Sequence, residues 1–240
     1  MSDTPGVSLT RSLAGSGEIR AYLIDQLNLA LRRPGMFGRG EGPLRMLIDH
    51  LLFVENQPDA WAEQQRAWEA RGAMTNIGVA GAFYDLIPGS GPGDPDQHCV
   101  ASVYAEFAHR RGWLGPDRLL PADEHHALRT GVRQWAETDR VWADVVDEFG
   151  SPSILFGGTS PLYSKTLGYL SEDPDEPMVF FHLWNGGAPE AESSWPPEHE
   201  EPALLAVRFG GAAGGGPFGE SFVFTPEGQR RRLQTRHMAG

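Results

Sequence analysis

The stretch "VVDEFGSPSILFGGTSPLYSKTLGYLS", residues 145–171, is where the chain changes its period. Up to Phe149 the apolar residues recur at helical spacing, the pattern of a helix that buries one face. Gly150 is the residue type that ends such a helix in a left-handed conformation. Beyond it, "SPSILFGG" and "KTLGYLS" are short apolar runs bounded by Gly, Ser and Pro, as strands joined by turns would be. The fold class follows from what lies on either side of this switch.

Upstream the pattern is helical throughout. Ile19, Tyr22, Leu23, Leu27, Ala30 and Leu31 share one face, and Pro34 stops that segment because the residue before a proline is pushed out of the α region. Pro43 opens a second helix, striped by Leu44, Leu47, Ile48, Leu51 and Leu52, on which Arg45 and Asp49 are placed to pair across one turn. Trp61 and Trp68 mark a third segment closed by Gly72. Val79, Phe83 and Leu86 mark a fourth, from about Thr75 to Ile87, and "PGSGPGDPDQ" (88–97) is a loop. Val100, Val103, Tyr104 and Phe107 form a fifth stripe; Leu128, Val132 and Trp135 a sixth; Val141, Trp142, Val145, Val146 and Phe149 a seventh.

Downstream, "PMVFFHLW", "ALLAVRFG" and "SFVFTP" bring the apolar runs after Gly150 to five, with no helical pattern between them. That order predicts an α+β protein: a helical region over 17–150, then a five-stranded antiparallel meander over 151–240 packed on it. Trp135 and Trp142 are expected at the seam, making one compact unit. Residues 1–16, polar and small, are expected to be a flexible leader.

Composition limits the chemistry. Hydrophobic residues make up 40% of 240, including seven Trp and twelve Phe, enough for a substantial core. No apolar run approaches the roughly 18–20 residues of a membrane span, and the N-terminus has no hydrophobic signal core, so a cytoplasmic location without membrane contact is expected. Cys99 is the only cysteine, which excludes an internal disulfide and a cysteine-based zinc cage. The net charge of −12 argues against nucleic acid, whose binding depends on neutralising phosphates, and suits a basic protein partner. Residues 171–202 hold nine carboxylates and no Lys or Arg, an acidic belt, while "GQRRRLQTR" (228–236) is a basic tail suited to pair with it.

Two motifs carry resemblances. "RPGMFG" (33–38) resembles the start of the ATPase domain of type II topoisomerase subunits. Its companions do not follow: Asp49, Glu55 and Asn56 are not in that family's arrangement, and no Asp-x-Gly-x-Gly succeeds them. The residues 20–55 more closely resemble small bacterial proteins with a helix, "RPGM[YF]-G", and a leucine-striped helix, some encoded beside polymorphic toxins as immunity proteins. "DEFGSPSILFGGTSPLYSKTLGY" is similar to sequences from actinobacteria. Physically, Pro34 and Gly35 make a turn, and Met36 and Phe37 are expected to plug the gap beneath both helices.

"FGGTSPLYSKT" (156–166) gathers glycines, hydroxyls and the sole lysine. A P-loop is excluded, since Tyr163 and Ser164 precede Lys165, no glycine sits beside it, and a strand follows. Thr159, Ser160, Tyr163 and Lys165 remain a candidate ligand cluster at a strand end. His182 and Trp184 share a face of "VFFHLW" with Phe180 and are candidates for the same pocket. The histidines lack metal-ligand spacing, and adjacent His98 and Cys99 are expected on different faces of a helix, with Cys99 a packing residue. No metal and no cofactor are expected.

The functional expectation is a non-enzymatic, acidic interaction protein, immunity-like in covering a basic toxin or another basic partner. The alternative is a small-molecule enzyme or ligand-binding protein with its site around 157–166. There Lys165 would hold an anion, Tyr163 would act as acid or base, and His182 would assist.

Overall fold

The computed structural model describes residues 14–38, 40–70, 78–83, 97–186, 196–210 and 222–238. The predicted leader over its first 13 residues, most of the loop at 88–97 and the glycine run after Gly210 lie outside them.

Helix α1 (Ser16–Arg32) begins where the Gly15 amide donates to Glu18 Oε2 at 2.8 Å, and α2 (Gly42–Val54) has its proline in the first turn. Leu27, Ala30 and Leu31 of α1 join Leu44, Leu47, Ile48, Leu51 and Leu52 of α2 in one buried cluster. Arg45 and Asp49 pair at 3.1 Å, as their spacing implies. Helix α3 (Asp59–Ala70) adds Trp61 and Trp68, whose rings meet edge to face at 5.3 Å. Of the fourth predicted helix only residues 78–83 are described, and Val79–Phe83 is a 3-10 turn.

The corner between α1 and α2 differs from expectation. Met36 and Phe37 are 57% and 41% exposed, so neither is a plug. Gly35 (φ +90°) and Gly38 (φ +127°) turn the chain through left-handed backbone that holds the pair out of the core. The crevice behind them measures about 10 Å³, room for a water and for no nucleotide.

Helix α4 (Gln97–Arg110) is central and buried on every side from His98 to Ala108. It contacts α1, the 3-10 turn, and strands β1 (Ile154–Phe156) and β2 (Lys165–Tyr169). With β3 (Val179–Trp184), β4 (Ala203–Phe209) and β5 (Phe222–Phe224) these form one antiparallel sheet in chain order, the predicted meander. Register pairs Lys165 with Leu183 and Thr166 with His182. Alternation therefore sends Thr166, Gly168, Phe180, His182 and Trp184 to one face, and Lys165, Leu167, Tyr169, Phe181 and Leu183 to the other.

Both faces are covered. The first meets α1–α4; the second meets α5 (Ala122–Trp135) and α6 (Trp142–Phe149), with Leu128, Val132 and Val145 packed on Leu167, Phe181 and Leu183. Trp135 and Trp142 do lie where the helical region meets the sheet, Trp135 edge to face with Phe181 at 6.1 Å and Trp142 beneath Lys165 Nζ at 3.8 Å, but on the face opposite the first four helices. The cause is the chain's route: Leu120 bridges Ser171 beyond β2, and Leu204 N donates to Arg140 O, so the α5–α6 segment crosses the sheet's other side.

Between His182 and Leu183 the β3–β4 register shifts, leaving Leu205 as an extra residue in β4. Its carbonyl accepts the Thr225 amide at 3.1 Å. The Thr225 hydroxyl in turn accepts the Gly228 amide at 3.1 Å, capping α7 (Pro226–Met238). The basic tail is thus a helix, and a Cβ at Gly228 would stand 1.9 Å from Leu205 O. No helix among the described residues is long and apolar enough to cross a membrane.

Candidate functional site

The residues singled out by sequence are divided by the sheet. Lys165 is fully buried on the α5–α6 face; its Nζ donates to Ser160 O at 2.5 Å and stands 3.8 Å above the Trp142 ring. Burial lowers its amine to about 8. Thr159 and Tyr163 are exposed in the turn before β2, Tyr163 at 55%. Ser160 holds that turn, its hydroxyl accepting the Leu162 amide at 3.3 Å. His182 and Trp184 lie on the opposite face. Lys165, Tyr163 and His182 therefore do not converge.

His182 belongs to a buried polar chain at the α4–sheet seam. Its Nδ1 lies 3.0 Å from Thr166 Oγ1, which lies 2.8 Å from His98 Nδ1. Cys99 Sγ is 3.5 Å from the same His98 nitrogen. The expectation that His98 and Cys99 face apart fails because α4 is enclosed on all sides, so both meet Thr166. Burial holds the His182 imidazole well below its ordinary pKa, with Arg208 and His98 adding to the effect, so it is neutral at physiological pH. Phe83 and Phe222 contact its ring at 5.7 and 5.8 Å. Farther along the seam, buried Arg208 pairs with Glu106, donates to Ser102 Oγ at 2.8 Å and covers the Phe180 ring at 4.2 Å. Every member is buried, and the chain of polar contacts ties α4 to the sheet along the seam.

Trp184 leads to the one cluster among the described residues with metal-ligand geometry. Glu198, His199 and Glu227 bring ligand atoms within 4.8 Å of one another. The cation among them is a guanidinium. Arg231 of α7 reaches Glu198 at 2.7 Å, Glu227 at 2.5 Å and His199 Nε2 at 3.3 Å, and stacks on Trp184 at 4.0 Å. Arg230 pairs with Asp139 at 2.8 Å. The basic tail thus pairs with the acidic belt within the chain. That contact is a helix-docking site.

Among the described residues, one open cleft lies on the α5–α6 layer. Glu124, Ala127, Leu128, Gly131 and Trp135 run down one stripe of α5 and, with Leu120, Glu148 and Phe149, line a half-open cleft of about 350 Å³. Its floor is aromatic: Trp135 meets Phe149 at 5.0 Å, and Phe149 meets Phe181 of the sheet at 5.2 Å. Arg140 steadies Trp135, with Cζ 4.7 Å from its ring and Nε donating to its carbonyl. Comparison with models of protein families, with curated proteins and with solved structures returned no match for this chain.

The surroundings of the cleft are acidic. Residues 117–176 contain twelve carboxylates against five Lys and Arg, so seven of the twelve net negative charges fall within this quarter of the chain. The turn at 171–176 lies alongside α5: Glu172 N donates to Leu120 O at 2.8 Å, and Arg129 pairs with Glu176. The sequence signal for the cleft is Gly131, in the middle of an otherwise regular helical stripe.

Proposed function

We propose that the protein is a non-enzymatic, acidic interaction protein whose partner is a basic protein, in the manner of the immunity-type proteins that it resembles around residues 20–55. The observation that carries this reading is the concentration of negative charge on the layer bearing an open, aromatic-floored cleft. Charge of one sign around such a surface raises the association rate and rejects partners of like charge. The small-molecule alternative needs Lys165, Tyr163 and His182 in one pocket, and they occupy different faces.

The test is a pull-down with the proteins encoded beside this chain, at low and at high salt. A partner of pI above about 9 is expected to bind at low ionic strength and to weaken as salt shortens the reach of surface charge. Failure of every basic neighbour to bind at low salt would remove the support for this function.

A further inference from the structure

The geometry points to the α5–α6 cleft as an anchor pocket for a basic amphipathic segment of a partner protein, an apolar side chain entering between flanking Lys or Arg residues. This rests on the interaction reading above and specifies how the partner is held. Three observations converge on it.

The first is shape. The cleft has a volume of about 350 Å³, within the range of sites that bury a ligand group, and its lining is apolar apart from Glu124 and Glu148. The second is charge. Those two glutamates, both exposed, stand at an apolar floor, and the acidic field continues past them through Asp123 and Asp147 to the turn at 172–175. A small cationic molecule would meet only the pair at the cleft. A chain with several cations would meet the rest, so the extent of the field selects a polypeptide.

The third is Gly131. Glycine inside a helix costs stability relative to alanine because its backbone loses more freedom on folding. Such a cost is retained where a side chain would collide, or where the backbone needs positive φ. Neither holds here: a Cβ at Gly131 meets nothing within 4 Å, and its φ is not positive. What a side chain would occupy is the cleft itself. Gly131 keeps open a space that the fold does not fill, between Ala127 and Trp135 on the same stripe.

The experiment uses the full chain and synthetic peptides. The probe is an amphipathic Leu/Lys peptide with leucines at helical spacing; its comparison is a peptide of equal charge with serine in place of leucine. Binding is followed by calorimetry at low and high salt. The Leu/Lys peptide is expected to bind in a salt-sensitive manner, and the Ser/Lys peptide about tenfold or more weakly, because anchor side chains dominate such contacts. Gly131→Leu, which fills the cleft, is expected to weaken the Leu/Lys peptide by about the same factor while its circular dichroism stays that of the parent. Glu124→Gln with Glu148→Gln is expected to reduce the salt dependence.

If both peptides bind equally and Gly131→Leu changes nothing, the acidic surface attracts cations without an anchor, and this proposal is overturned while the broader function stands. If a monomeric alkylammonium ion binds as tightly as the peptide, the cleft is a small-molecule pocket, and the proposal is likewise overturned. If neither peptide binds at low salt, both readings fall.

Discussion

Replacing Glu106 by alanine removes the carboxylate that balances a buried guanidinium. Arg208 is 1% exposed and Glu106 5%, and the two join α4 to β4 across the seam. At contact distance and an effective dielectric constant of about 20, their attraction is on the order of 5 kcal/mol, largely spent against desolvating both charges. Taking away the carboxylate leaves the guanidinium buried without this ion pair, which costs about 3–5 kcal/mol. For a chain of this length that corresponds to a fall in Tm of roughly 6–20 °C. The assay is urea unfolding of Glu106→Ala, backed by calorimetry. Because the pair is buried, added salt should rescue little of the loss. Glu106→Gln keeps an acceptor for the guanidinium and should fall between parent and alanine variant. The double change Glu106→Leu with Arg208→Met removes both charges and should recover most of the stability, as buried pairs replaced by apolar residues commonly do. The reasoning is refuted if Glu106→Ala costs less than about 1 kcal/mol, or if the double variant is as damaged as the single one.

Three further outcomes follow from the same physics. His182 has its pKa held down in the folded state, so the unfolded chain takes up its proton first as pH falls. Its contribution to stability is complete above about pH 6.5 and is lost below it; His182→Gln should flatten the acid limb of a stability–pH profile, and an unchanged limb would count against a neutral buried imidazole. Lys165 is likewise lowered, to about 8 against a usual 10.5, so stability should rise with pH from 8 toward 10.5, and Lys165→Met should abolish that rise in parallel urea titrations. Gly228→Ala would force a Cβ against Leu205 O and should undock α7, read as lost helicity and faster proteolysis after Thr225; a variant with parental helicity and protease resistance would show that α7 docks otherwise.

The sheet was legible because five apolar runs were each bounded by turn residues, and every run became a strand in the order written. Its double cover was not foreseen, although "VFFHLW" and "ALLAV" hinted at it: they run apolar without alternation, as strands buried on both faces do. All six residues of β3 are buried, His182 among them. The basic stretch "GQRRRLQTR" carries no apolar stripe from which a docked helix can be predicted. It docks through arginine stems and guanidinium faces instead, with Arg231 on Trp184 and Arg232 on Phe224, and that mode leaves no hydrophobic period to detect. The plug at Met36 and Phe37 failed for a backbone reason, since a sequence shows glycines but not the sign of their φ. Of the candidate ligand residues, Lys165 and His182 were parted by register, which sets Lys165 opposite Leu183 and places His182 on the other face. The cleft's apolar floor comes from α5 and α6 together, a tertiary juxtaposition of which the sequence shows only Gly131 in the α5 stripe.

The placement of α7 bears on the order in which the molecule matures on the ribosome. A meander lets each strand add to its predecessor as it emerges, since no later strand must slip between two earlier ones. The acidic groups Asp139 and Glu198 are made well before Arg230 and Arg231, which neutralise them. Until Arg230 and Arg231 leave the exit tunnel, the nascent sheet carries those acids unbalanced and Trp184 without its guanidinium cover. Closure of this side of the fold therefore waits for α7, and a chain truncated before Arg230 would hold all five described strands yet stay unsealed there.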